Sequence, residues 1–258
     1  MSSDCFTLPL QQQLGEKSGS MNKIVIKDLH IGYADKIVAN GLNGEVRGGQ
    51  LTALVGTNGV GKSTLLRTLA GLLPALGGTM LIADDKGNSR SVEELSKREM
   101  ARTVSVVLTA QPDIRHITVG EVVAMGRMPY TGFFGTLSND DQGIVDESLA
   151  ITGITKFAQR QFHALSDGER QKVMTAKALA QQTPIIILDE PTAFLDYPTK
   201  VETMKTLRRL ANDLGKTILL STHDLGLALH HADRLLLLSE DLREISKSEL
   251  QTYIQNQN

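Results

Sequence analysis

Three features of the sequence predict an α/β protein built around a largely parallel sheet. Ile185 to Leu188, Thr217 to Leu220 and Leu235 to Leu238 are short, continuous apolar runs, the pattern of strands buried on both faces. Helical patterns separate these runs, so strand and helix alternate along the chain. Thr52 to Val55 reads as a further strand that leads straight into glycine and then into a helical pattern. The 258 residues can bury a sizeable core, as one large α/β domain or two unequal ones.

Residues 1–21 contain Gln11-Gln12-Gln13 and then Gly15, Lys17, Ser18, Gly19 and Ser20. They lack the basic start and apolar stretch of a signal peptide and read as a disordered arm, with Met21 as an alternative start. Lys23 to Lys27 reads as the first strand, and Leu65, Leu66, Leu69, Leu72 and Leu73 fall on one helical face closed by Pro74 and Gly77-Gly78. Met80 to Ala83 and Val104 to Leu108 are further strands. Between Val119 and Leu165 the pattern turns helical and loop-rich, punctuated by Gly132, Gly135 and Gly143, which marks a helical subdomain. From Ser246 onward the chain is polar and predicts a fraying terminal helix.

Charged residues make up 22% and the formal net charge is -2, so no basic field points to nucleic acid as a partner. Cys5 is the only cysteine, which excludes an intrachain disulfide and fits a reducing compartment. No apolar stretch reaches the roughly 18 residues that cross a bilayer; Leu65 to Leu76 is broken by Arg67 and Pro74.

Gly56-Thr57-Asn58-Gly59-Val60-Gly61-Lys62-Ser63-Thr64 fits the phosphate-loop pattern and sits between a predicted strand and helix. Its glycines let backbone N–H groups approach phosphate oxygens, Lys62 neutralises the β and γ phosphates, and the Ser63 hydroxyl reaches Mg²⁺. Asp189 and Glu190 end a buried strand, where an open α/β sheet places its ligand. Asp189 is placed to hold the magnesium and Glu190 to orient or deprotonate a water; a helix cap before Pro191 is the alternative. His223 follows another strand and is either a donor to the γ-phosphate or a structural histidine. Tyr33 offers a ring face to adenine or packs in the core. His230-His231 are helical neighbours that do not share a face and carry no metal expectation.

Leu165-Ser166-Asp167-Gly168-Glu169 stands one helix's length ahead of the Ile185 to Glu190 run. Ser and Gly at a helix start present N–H groups and the positive dipole end to an anion. Far along the chain from the phosphate loop, this second grip suggests one nucleotide held between two copies.

In this order the motifs resemble the nucleotide-binding subunit of ABC transporters over roughly residues 22 to 240. Tyr33 matches the A-loop aromatic, Gly56 to Thr64 Walker A, Leu165 to Glu169 the signature, Ile185 to Glu190 Walker B, Phe194-Leu195-Asp196 the D-loop and His223 the switch histidine. The resemblance implies a P-loop NTPase fold over residues 22–258, with a mixed, largely parallel core sheet, an antiparallel β subdomain and a helical subdomain inserted at about residues 110–170. It implies an ATPase using ATP and Mg²⁺, in a head-to-tail homodimer where Ser166 and Gly168 of one subunit close on the γ-phosphate held by Lys62 of the other. It also implies transmembrane permease subunits and a place on the cytoplasmic face of the membrane. Val119 to Tyr130 is similar to a segment of importers of iron-siderophores, haem and vitamin B12, and import implies a substrate-binding protein. The alternatives are an exporter ATPase or a soluble ABC protein acting on ribosomes or DNA. Against the last stand a single phosphate loop and no sustained heptads between that loop and the signature. A GTP switch lacks its base-reading motif, since Asn22-Lys23 is followed by Ile24-Val25.

Two positions depart from the family pattern. Where the family places its Q-loop glutamine this chain has Thr109-Ala110-Gln111, and counting from Ala101-Arg102 puts Thr109 at the usual place; either Gln111 substitutes through a shifted loop, as a candidate at the metal site beside Ser63 and Asp189, or the γ-phosphate contact and its link to the permease are altered. Asp167 stands where the signature has glycine, and Glu169 where glutamine is common. A carboxylate near a γ-phosphate repels it, so Asp167 is expected to point away, into a local cap.

Overall fold

A computed structural model describes residues 22–255 apart from 35, 85, 110–114 and 133–134. The expected arm at 1–21 lies outside the described residues. Along the chain run β1 (Lys23–Tyr33), β2 (Lys36–Val46), β3 (Leu51–Val55), α1 (Lys62–Leu69), β4 (Gly77–Ala83), β5 (Ser89–Ser91), α2 (Lys97–Thr103), β6 (Val104–Val107) and α3 (Val119–Ala124). Then follow α4 (Asn139–Ile151), α5 (Asp167–Ala180), β7 (Ile185–Asp189), α6 (Tyr197–Leu214), β8 (Thr217–Ser221), α7 (Leu225–His231), β9 (Arg234–Leu238), β10 (Leu242–Ile245) and α8 (Lys247–Gln255).

The strands form two sheets. One has six strands in the order β10-β9-β3-β8-β7-β6, parallel except for the antiparallel edge strand β10. The other has four strands in the order β2-β1-β4-β5, all antiparallel. In the parallel sheet, side chains alternate between two cores. Leu54, Ile185, Ile187, Leu219, Leu236 and Leu238 face one core, which α1 and the antiparallel sheet complete. Ala53, Ile186, Leu188, Ile218, Leu220 and Leu235 face the other, covered by α6, α7 and α8. Both faces are buried, so these strands are continuous apolar runs rather than alternating ones.

A third core joins α3, α4 and α5 through Val122, Val123, Val145, Leu149, Val173 and Ala176, around Phe162. Arg127, just beyond α3, pins this helical layer to the end of α5. Its Nε donates to Asp141 Oδ1 at 2.8 Å and its Nη1 to the carbonyl of Ala180 at 2.9 Å, while the guanidinium lies 4.2 Å from the centroid of the Tyr130 ring.

Several elements differ from the sequence-based expectation. β1 runs on to Tyr33 through register shifts, and β2 escapes the sequence pattern because Gly41 and Gly44 interrupt a half-exposed edge strand. α1 stops at Leu69, short of Leu72 and Leu73. Gly71 takes a left-handed φ of 67° there, the N–H of Leu72 turns back to the carbonyl of Arg67, and the Leu72 side chain is exposed.

Candidate nucleotide-binding and hydrolysis site

β3 delivers Gly56 to Thr64 to the C-terminal edge of the parallel sheet. Gly61 precedes α1 with φ 111°, and a Cβ there would stand 2.6 Å from Val38 Cγ1, so this position requires glycine. No side chain caps α1, which leaves its first N–H groups for an anion. Lys62 is buried, and its ammonium folds back over the loop to donate to the carbonyls of Gly56 and Thr57 at 2.8 and 2.9 Å. Burial lowers its pKa, opposed by the charges of Glu190 and Asp189. The loop at the end of β3 and the carboxylates at the end of β7 emerge at the same edge of the parallel sheet, one on either side of β8.

Asp189 is 2% exposed and accepts a hydrogen bond from Ser221 Oγ at 2.7 Å. Glu190 turns out of the sheet with a left-handed φ of 53°, its N–H donating to Ser221 Oγ at 3.0 Å. His223 Nε2 lies 2.5 Å from Glu190 Oε1, so the switch-histidine position and the candidate base are in contact. Thr109 Oγ1 donates to the carbonyl of Asp189 at 3.0 Å. Gln111 lies outside the described residues.

Tyr33, at the end of β1, leans over α1 with 44% of its surface exposed. Its hydroxyl accepts from Arg67 Nη1 at 3.1 Å. Hydrogen bonds with Thr64, and then with Arg67, hold its pKa below the usual phenol value. The ring is therefore tied to the helix that follows the phosphate loop rather than sunk in the core.

Ser166 is the N-cap of α5. It forms a capping box with Glu169: the Glu169 N–H donates to Ser166 Oγ, and the Ser166 N–H and hydroxyl donate to Glu169 Oε2 at 2.8 and 2.9 Å. Asp167 is not the capping residue; its side chain is exposed and its carboxylate faces Arg170 Nη1 at 3.5 Å. Gly168 lies against the D-loop, where a Cβ would sit 3.1 Å from the Phe194 carbonyl. Asp196 caps α6 by accepting from the Thr199 N–H at 3.3 Å. Motif reading places Thr109 at the Q-loop position without revealing its bond to the Asp189 carbonyl, and it misses Ser221 altogether. Ser221 carried one signal: it is a polar residue closing the apolar Thr217 to Leu220 run beside the Asp189 strand.

Fold and site together define an ATP-binding protein of the phosphate-loop class. The chain belongs to the ABC transporter family, whose pattern matches residues 39–193, and it is an ATP-binding, ATP-hydrolysing member. It is 36% identical over 214 residues to the iron(3+)-hydroxamate import ATP-binding protein of Bacillus subtilis, covering 83% of this chain and 76% of that one. It is 38% identical over 216 residues to the achromobactin transport ATP-binding protein of Dickeya dadantii, covering 83% and 78%. Among solved structures it resembles a dimeric ATP-binding cassette in a post-hydrolysis state with ADP and Pi, with TM-score 0.75 and 25% identity over 87% of this chain and 98% of that one. Among the described residues, no helix is long and apolar enough to cross a membrane.

Proposed function

We propose that this chain energises an ABC importer for iron(III)-siderophore, haem or cobalamin. The observation that carries the ATPase part is the convergence of Lys62, Asp189, Glu190, Ser221 and His223 at one edge of the parallel sheet. The direction and cargo rest on the names of the relatives and on Val119 to Tyr130, whose Arg127 anchors the helical layer. Residues 22–258 act as one ATPase domain with the helical subdomain inserted at about 110–170.

ATP lies with its adenine on the Tyr33 ring and its phosphates on the residues from Gly56 to Thr64, with Ser166 and Gly168 of a second copy closing on the γ-phosphate. Lys62 leaves the carbonyls of Gly56 and Thr57 for the β and γ oxygens. Glu190 takes a proton from a water that attacks the γ-phosphorus as the bridging P–O bond breaks towards ADP, and His223 turns its ring donor to the γ-phosphate. Ser63 and Asp189 supply hard oxygen donors of the kind Mg²⁺ takes together with phosphate oxygens and water. When bound, the ion neutralises charge on those phosphates.

Two such chains sit on membrane-spanning permease subunits at the cytoplasmic face, fed indirectly by a substrate-binding protein. Glu190→Gln is expected to trap an ATP-stabilised dimer with turnover down by about 100-fold or more, read by gel filtration and phosphate release. Near-normal hydrolysis would remove Glu190 from this role. Purification of the chain from native membranes is expected to bring down a many-helix permease, whereas ribosomes or DNA ends would sink the transport reading.

A further inference from the structure

We infer that Thr109, at the place where the family resemblance puts the Q-loop glutamine, is a positioning residue: with Ser221 it clamps the peptide between Asp189 and Glu190 and so sets the direction in which Glu190 is presented. The inference rests on Glu190 being the catalytic base. The peptide plane is rigid, and its C=O and N–H point to opposite sides. On one side the Asp189 carbonyl accepts from Thr109 Oγ1 at 3.0 Å; on the other the Glu190 N–H donates to Ser221 Oγ at 3.0 Å. The sheet order explains the symmetry. β7 lies between β6 and β8, Thr109 comes two residues after the end of β6, and Ser221 ends β8 opposite Asp189 in register.

The clamp acts where the chain leaves the sheet. Beyond the last ladder bond, nothing in the β pattern holds the plane from which Glu190 departs at φ 53°, a conformation that residues with a side chain rarely adopt. Two hydroxyls replace the missing ladder partners. A threonine hydroxyl is also too short to serve as a glutamine does, reaching outward over several bonds, and here it is committed to a backbone carbonyl 80 positions away. Thr109 therefore acts on hydrolysis through the backbone of the carboxylate strand.

The test uses the full chain with ATP and Mg²⁺, alone and in its membrane complex, in four forms: wild type, Thr109→Val, Thr109→Ser and Glu190→Gln. Valine keeps the shape and removes the hydroxyl. Loss of one hydrogen bond predicts a fall in kcat of about fivefold for Thr109→Val, with KM for ATP unchanged within about twofold, and recovery in Thr109→Ser. An unchanged kcat in Thr109→Val overturns the inference, as does an equal loss in the serine variant, which would assign the effect to packing. A raised KM with kcat intact would place Thr109 on the nucleotide instead and equally overturns it. Wild-type turnover in Glu190→Gln is a separate outcome, since it removes the base on which the inference depends.

Discussion

At the scale of single residues, the site concentrates its constraints on Glu190. Its backbone is left-handed, its N–H is fixed by Ser221 and its carboxylate touches His223. A glutamate in that conformation costs on the order of 1 kcal/mol, and asparagine tolerates it better. Glu190→Asn is therefore expected to lose turnover while melting at or above the wild-type temperature; a clear fall in Tm would show that the turn is not strained. Asp167 gives a second test. Its carboxylate is 65% exposed and faces Arg170 rather than the cap. Asp167→Gly is thus expected to change ATP-driven dimerisation by less than about threefold, and a large tightening would mean that the charge faces the nucleotide.

Among the elements, the helical layer is pinned by a largely buried ion pair between Arg127 and Asp141 beside its apolar core. Asp141 is held down to about 2, first by the backbone and hydroxyl of Ser138 and then by Arg127, against an ordinary value of 3.8. A folded value below the unfolded one means the carboxylate stabilises above pH 3.8 and stops doing so as pH falls towards 2. The stability gap between wild type and Asp141→Asn is expected to shrink over that window, as read by urea melts; a constant gap would refute the linkage. Arg127→Ala leaves Asp141 without its buried partner, an expected loss of about 3 kcal/mol, by the same melts. These elements also show what the sequence could reveal. The parallel strands are legible because two-sided burial writes itself as unbroken apolar runs. β2 and the three-residue β5 are not, since half-exposed edge strands carry glycine, asparagine and charge. The end of α1 lies earlier than the leucine spacing predicts because Gly71, not Pro74, turns the chain.

For the whole molecule, the motif residues are legible by type and order, but the way they meet is not. The contact between Thr109 and Asp189 spans 80 positions, and that between Ser221 and Asp189 spans 32, distances that no local pattern records. Tyr33 comes from the antiparallel sheet and meets the phosphate loop only because α1 lies between the two sheets. Tyr33→Ala is expected to raise the KM for ATP by about tenfold with kcat nearly unchanged, since stacking on adenine is worth roughly 1 to 3 kcal/mol; an equal loss for inorganic triphosphate would show that the ring does not read the base.

Gly168 is tightly seated: a Cβ there would stand 3.1 Å from both the Phe194 carbonyl and the Leu195 side chain, so its neighbours would have to give by a few tenths of an ångström. That closeness has a consequence for how two nucleotides are counted. In the proposed head-to-tail pair, the turn offered to a neighbour's ATP and the loop that follows the chain's own carboxylates lie in close contact. Closing one pocket is therefore expected to press on the other. Occupancy should then be read out jointly, as a sigmoid ATP dependence that flattens when Leu195→Ala opens a gap between the two.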